Sequence, residues 1–161
     1  IESTITSGMG EADKVRAINR YLVDHADYDH AALASTPGKY RSDIPEEFRY
    51  AWDTDGILVD RMGVCMSYAY AFQTLAEEAG LESVVVSGDL ADGGGHAWNK
   101  VKVDGRWRAV DVTWNDPEGP WTPATGDRYL LIDDADFTGD ALRTERDTWM
   151  ADAHLAQYAT R

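Results

Sequence analysis

The chain has one cysteine, Cys65, followed by His96 and then Asp111. A thiol, an imidazole and a carboxylate are the parts of a nucleophile, its base and the group that orients the base. All three fall between Gly63 and Asp116. To act together they need a helix that presents the thiol and neighbouring strands that present the other two.

The helix is legible. Cys65, Tyr68, Ala69, Phe72, Leu75, Ala76 and Ala79 form one helical stripe, and Gly80 follows as a C-terminal cap. Cys65 is then in the first turn, where the positive end of the helix dipole favours a thiolate. On the helix alone, a small core residue is the commoner fate of a cysteine. The strands say more. His96–Val103 and Arg106–Thr113 flank Asp104-Gly105, a strong hairpin signal. A two-residue turn pairs Val103 with Arg106, which puts Trp98 opposite Asp111 and His96 opposite Thr113. His96 and Asp111 then share a face as diagonal neighbours, roughly 7–8 Å apart at the backbone. Val101, Val103, Val110 and Val112 share the other face. A one-residue bulge would separate the pair.

The other elements are supports. Val15, Ile18, Leu22, Val23 and Ala26 mark an amphipathic helix from Glu11 to about Ala26, and Tyr28-Asp29 follows as a loop. Pro37-Gly38 reads as a turn, and Asp43 as the N-cap region of a short helix. Tyr50 and Trp52 line a cleft or the core. Ile57-Leu58-Val59 makes one helical turn, residues 84–88 a short strand, and residues 127–132 another. Asn115 to Gly126 reads as a loop, and beyond Ala135 come a loop and a final helix carrying a surface His154. Residues 1–10 are a polar tail or linker, and 11–161 one domain with its motif core at 63–116.

Composition narrows the partners. At 161 residues, with 43% hydrophobic content and six Trp, eight Tyr and three Phe, the chain can bury a core and is not disordered. A net charge of −14 disfavours nucleic acid and reads as a solvated acidic surface. No membrane insertion is expected, since no run is long and apolar enough. A lone cysteine excludes an internal disulfide or a multi-cysteine zinc site, and the four histidines lack metal-ligand spacing. Asp133, Asp134 and Asp136 lack the glycine and glutamate of an EF-hand loop. Neither metal nor cofactor is expected. The start at Ile1 points to a processed product or a piece of a longer chain.

The motifs match a known family. Gly63-Val64-Cys65-x-x-Tyr68-Ala69-x-Ala71-Phe72, Gly95-His96-Ala97-Trp98-Asn99-x-Val101, Asp104-Gly105-x-Trp107 and Val110-Asp111-x-Thr113-Trp114 resemble the bacterial transglutaminase-like superfamily, in order and over roughly residues 11–135. The resemblance implies an α+β, papain-like fold in which a nucleophile-bearing helix packs on an antiparallel sheet. It implies Cys65 as nucleophile, His96 as base and Asp111 as orienting acid. Ser67, where the family often has glycine, and Arg108-Ala109 depart from the motif without touching the triad. The expected location is secreted or cell-surface, with the cytoplasm left open.

The implied chemistry is acyl transfer on an amide of a protein or peptide substrate through a thioester, with water or an amine as acceptor. The Cys65 N–H is the natural first oxyanion donor, and Tyr50, Trp52 and Trp98 are candidates for the second. Tyr68, Trp98 and Trp114 are the candidate substrate contacts, whereas Trp107 reads as packing. Two alternatives stand beside the acyl-transfer enzyme. One is a non-catalytic binding module of the same fold; the other is a small-molecule acyltransferase, which has no feature of its own in support.

Overall fold

A computed structural model describes residues 5–6, 8–36, 43–116, 126–146 and 158–160. Pro37-Gly38, the terminal helix and His154 lie outside them. Helix α1 (Glu11–His25) buries Val15, Ile18 and Leu22, as its apolar spacing predicts, and the polar Asn19 with them. Its first turn is tied to the hairpin tip, where Glu11 accepts from the Asp104 N–H at 2.6 Å. The loop expected at Tyr28-Asp29 is instead structured. Strand β1 (Asp27–Tyr28) pairs in parallel with β2 (Met62–Gly63), and Asp29 caps α2 (His30–Ser35) by accepting from the Ala32 N–H at 2.8 Å. Two residues of strand are too short to leave an alternation in sequence.

Glu46–Trp52 forms a 3-10 helix whose N-cap position, expected near Asp43, is Pro45. The turn expected at Ile57-Leu58-Val59 is a π-helix, Gly56–Asp60. Helix α3 (Cys65–Glu78) ends at Ala79, and Gly80 has the positive φ of 78° that its capping position demands. Its buried arc is wider than one stripe, taking in Met66, Ser67 and Ala71 as well as Tyr68, Ala69, Phe72 and Ala76. The reason is that α3 packs against the sheet on one side and against α1 and the 46–60 turns on others.

The sheet is antiparallel, in the order β6-β5-β4-β3-β7. Its strands are β3 (Ser83–Leu90), β4 (Gly95–Val103), β5 (Arg106–Val110), β6 (Leu130–Ile132) and β7 (Arg143–Glu145). The hairpin register is the expected one, Val103 opposite Arg106. Asp104 and Gly105 both have positive φ, 50° and 76°, as a two-residue hairpin turn requires. One face of the sheet joins the helices in a core that includes Ile18, Leu22, Phe72, Val101 and Val110. The other carries Val86, Trp98 and Ala109, covered by Trp114, Tyr129, Phe137 and Ala141. Each large apolar side chain so buried contributes about 1.5–3 kcal/mol relative to exposure.

Strand β7 had no counterpart in the sequence reading, and its docking depends on Gly88 of β3. A Cβ at Gly88 would overlap the Thr144 carbonyl and stand 2.9 Å from Trp98 Cη2. Backbone cannot yield as a side-chain tip can. Gly88→Ala is expected to lose about 1–3 kcal/mol, read as a lowered denaturation midpoint, as β7 is pushed off the sheet. An unchanged midpoint would show that β7 does not depend on this close approach.

Candidate active site

Cys65 is the first residue of α3 and half-buried. The helix is fixed to the sheet by Asn99 of β4, whose amide donates to the Ala69 carbonyl at 2.9 Å. Ser67, the departure from the family motif, is a brace beneath that helix start. It donates to the Asp53 carbonyl at 2.5 Å and accepts from the Ile57 N–H at 3.0 Å.

His96 stands near the start of β4 with its side chain fully buried. Asp111 is where the structure departs from the expected hairpin. Strand β5 stops at Val110, and Asp111 is the N-cap of a short helix, α4 (Val112–Asn115), so no strand pairing of His96 with Thr113 forms. One carboxylate oxygen of Asp111 accepts from the Trp114 N–H at 3.1 Å, and the other lies 2.7 Å from His96 Nε2. The two side chains therefore meet as expected, but across the turn into α4 and not as diagonal neighbours on paired strands. The turn is anchored by buried polar contacts. Asn115 donates to Asn19 of α1 at 2.9 Å and accepts from the Tyr129 N–H at 2.9 Å. The Tyr68 hydroxyl donates to Asp116 at 2.6 Å.

Nε2 of the imidazole is committed to Asp111, and the Cys65 side chain also acts on the ring. Burial pulls the His96 pKa down. The charge and hydrogen bond of Asp111, with the Cys65 side chain, more than offset it and leave the pKa at about 9. For Asp111, burial raises the pKa, but the charges of His96 and Arg143 outweigh it and hold the carboxyl below its ordinary value. A histidine raised from 6.5 to about 9 contributes stability that is fully present below pH 6.5 and lost as pH rises through 9. Thermal stability is therefore expected to fall across that window, and to fall less in His96→Ala. Identical slopes in the two proteins would contradict the assignment.

A cleft of about 220 Å³ opens beside Cys65 and His96. Leu33, Trp52 and Met66 give it an apolar side, while Ser87, Asp89 and Arg146 give it a polar one, with Asp89 and Arg146 ion-paired. Trp52 thus lines the cleft, one of the two positions open in the sequence. The three candidate substrate contacts are elsewhere. Tyr68 is fully buried in the helical core, and Trp98 and Trp114 are 1% and 4% exposed; none lines the cleft. Trp98 stacks against His96 at 6.0 Å between ring centroids, and Trp114 sits at 5.7 Å, so both back the imidazole instead of meeting substrate. Trp107 packs edge-on against Tyr158 at 4.8 Å, as expected of a packing residue. Arg108 and Ala109 do not line the cleft. Asp133, Asp134 and Asp136 are used in pairing and capping, with Arg108, Lys100 and the Asp133 N–H as partners. Among the described residues no cluster could hold a metal ion, and no helix is long and apolar enough to cross a membrane.

Two residues at the site were not singled out in the sequence. The buried Tyr28 hydroxyl accepts from the backbone N–H of Cys65, and burial followed by the Cys65 charge raises its pKa. Arg143 of β7 donates to Asp111 at 2.6 Å. A tyrosine near a helix and a lone arginine 32 residues past the aspartate carry no signal until the chain is folded.

The family model of the transglutaminase-like superfamily matches residues 2–112. The chain belongs to that superfamily. It is 29% identical over 126 residues to kyphoscoliosis peptidase of Mus musculus, covering 71% of this chain and 17% of that protein. The Homo sapiens kyphoscoliosis peptidase is 31% identical over 116 residues, covering 65% of this chain. The chain thus spans only 16–17% of the length of these relatives. Among solved structures, the crystal structure of a TGase aligns with a TM-score of 0.58 and 23% identity, over 82% of this chain and 32% of that one. The fold of this transglutaminase-like domain is therefore the α+β, papain-like one, with helix α3 against an antiparallel sheet. Superfamily members include papain-like cysteine enzymes and modules built on the same fold.

Proposed function

We propose that this transglutaminase-like domain is a cysteine-dependent acyl-transfer enzyme acting on amide bonds of a protein or peptide. The observation that carries this reading is the buried His96–Asp111 pair at 2.7 Å, in contact with the Cys65 side chain beside an open cleft. A histidine serving only the core would need neither a thiol partner nor access to a cleft. Cys65 attacks the amide carbonyl, and the C–N bond breaks to leave a thioester on Sγ. His96, protonated through its pairing with Asp111, delivers its proton to the departing amine. It then takes a proton from water or from an acceptor amine, and attack of that nucleophile on the thioester regenerates the thiol. Asp111 keeps the imidazole oriented through Nε2 throughout. The Cys65 N–H, at the helix start beside the thiol, is the first candidate donor to the oxyanion that develops on the carbonyl, once it is released from the Tyr28 hydroxyl.

Cys65 alkylation against pH in wild type and in His96→Ala tests the reading. Fast alkylation at neutral pH, lost in the variant, is the expected result. A slow profile indifferent to His96 would favour a binding module. Incubation of a glutamine-containing peptide with and without a primary amine then separates cross-linking from hydrolysis.

A further inference from the structure

Asp111 serves two cations. Its Oδ2 lies 2.7 Å from His96 Nε2 and 2.6 Å from Arg143 Nη1, and all three side chains are at most 3% exposed. The guanidinium is held from the other side by aromatic rings, with its carbon 3.8 Å from the Phe137 centroid, 4.7 Å from Trp98 and 4.9 Å from Trp114. Arg143 Nε donates to the Ala141 carbonyl at 3.0 Å. Trp98 and Trp114 are also the rings that back His96. The arginine and the imidazole thus share one carboxylate oxygen and one aromatic frame.

From this geometry we propose that Arg143 is a positioning residue of the triad, holding the Asp111 carboxylate in line with His96 and sharing its charge. The inference rests on the acyl-transfer reading for its activity readout, but the titration of His96 tests it separately. Charge balance shows what the arginine adds. Thiolate, imidazolium, carboxylate and guanidinium sum to zero, so the ion-paired state is neutral inside a buried site. Without the guanidinium the same state carries one net negative charge, and losing the imidazolium proton adds a second. The groups facing His96 are Cys65 of α3, Asp111 before α4 and, through Asp111, Arg143 of β7; the Tyr28 hydroxyl lies near Cys65 and Asp111. Removing the one fixed cation from this set lets Asp111 act on His96 alone, so the imidazolium persists to higher pH. Arg143 also lies beyond the 2–112 span matched by the family model, on a strand that docks only because Gly88 permits it.

The test is the titration of the His96 imidazole by nuclear magnetic resonance in wild type, Arg143→Lys and Arg143→Met, with Cys65 alkylation over the same pH range. In Arg143→Met the imidazole is expected to titrate about one unit higher, the size of effect that a neighbouring charge exerts. The alkaline limb of the alkylation profile should move with it, by the same amount. Arg143→Lys keeps the charge and should recover at least half of the shift. A folded Arg143→Met with an unchanged His96 titration would overturn the proposal. So would loss of folding in both variants, which would assign the arginine to the core alone. Should wild-type Cys65 prove unreactive, the acyl-transfer reading fails while the His96 shift still decides the role of Arg143.

Discussion

Cys65→Ala is expected to abolish amide turnover, by a factor of about 10³ or more, while leaving the fold intact. The side chain is half-buried at a helix start and carries no structural hydrogen bond comparable to those of Ser67 or Asn99. Alanine also suits a first helical turn, so thermal stability should change by less than about 1 kcal/mol. Residual positioning by the cleft and the oxyanion donors cannot replace a covalent nucleophile. Cys65→Ser, with a far less acidic hydroxyl, should be nearly as inactive. The measurement is release of amine from a peptide amide, paired with circular dichroism. Turnover that survives in Cys65→Ala would place the chemistry elsewhere.

Asp111→Ala should be costly twice over. It strips the shared partner from His96 and Arg143, both buried, and breaking such a pair costs about 3–5 kcal/mol. It also removes the α4 cap to the Trp114 N–H, about 1 kcal/mol more. Asp111→Asn separates the two roles. The amide oxygen can still cap α4, so the share of stability that comes from the cap should return. The amide NH2 then faces Arg143 and His96 in place of Oδ2, and the charge that keeps His96 protonated is gone. Thiol alkylation and turnover are then expected to fall by about 10²-fold or more in a folded protein. An Asn variant as reactive as wild type would show that the carboxylate serves the fold and not the imidazole.

The elements that sequence made legible are those whose side chains repeat. The apolar periods of α1 and α3 were readable because each buries a long face, and Gly80 marked the end of α3 through its positive φ. Asp104-Gly105 set the hairpin register because two successive positive φ angles suit few residues, and that register carries Asp111, one residue past the end of β5, back toward His96. The two-residue strands β1 and β2 and the three-residue β7 left no period to read, since their pairing comes from backbone contacts with distant segments. Aromatic residues near the motif were the least legible. By alternation Trp98 shares a face with the histidine, but alternation does not say whether that face meets solvent, and Trp114 reaches the same place from α4. Here a C-terminal cover carrying Tyr129, Phe137 and Ala141 buries it.

Sequence alone therefore determined the thiol at a helix start, the imidazole and carboxylate brought near each other by one hairpin, and the antiparallel scaffold that unites them. Each of these follows from residue type and short-range spacing. Only the tertiary structure decided which groups surround the three. It turned Asp111 into a helix cap, set Tyr28 against the Cys65 N–H, and closed Arg143 over the carboxylate among three rings. Those contacts join residues far apart in the chain, and burial in a common low-dielectric space is what makes them matter.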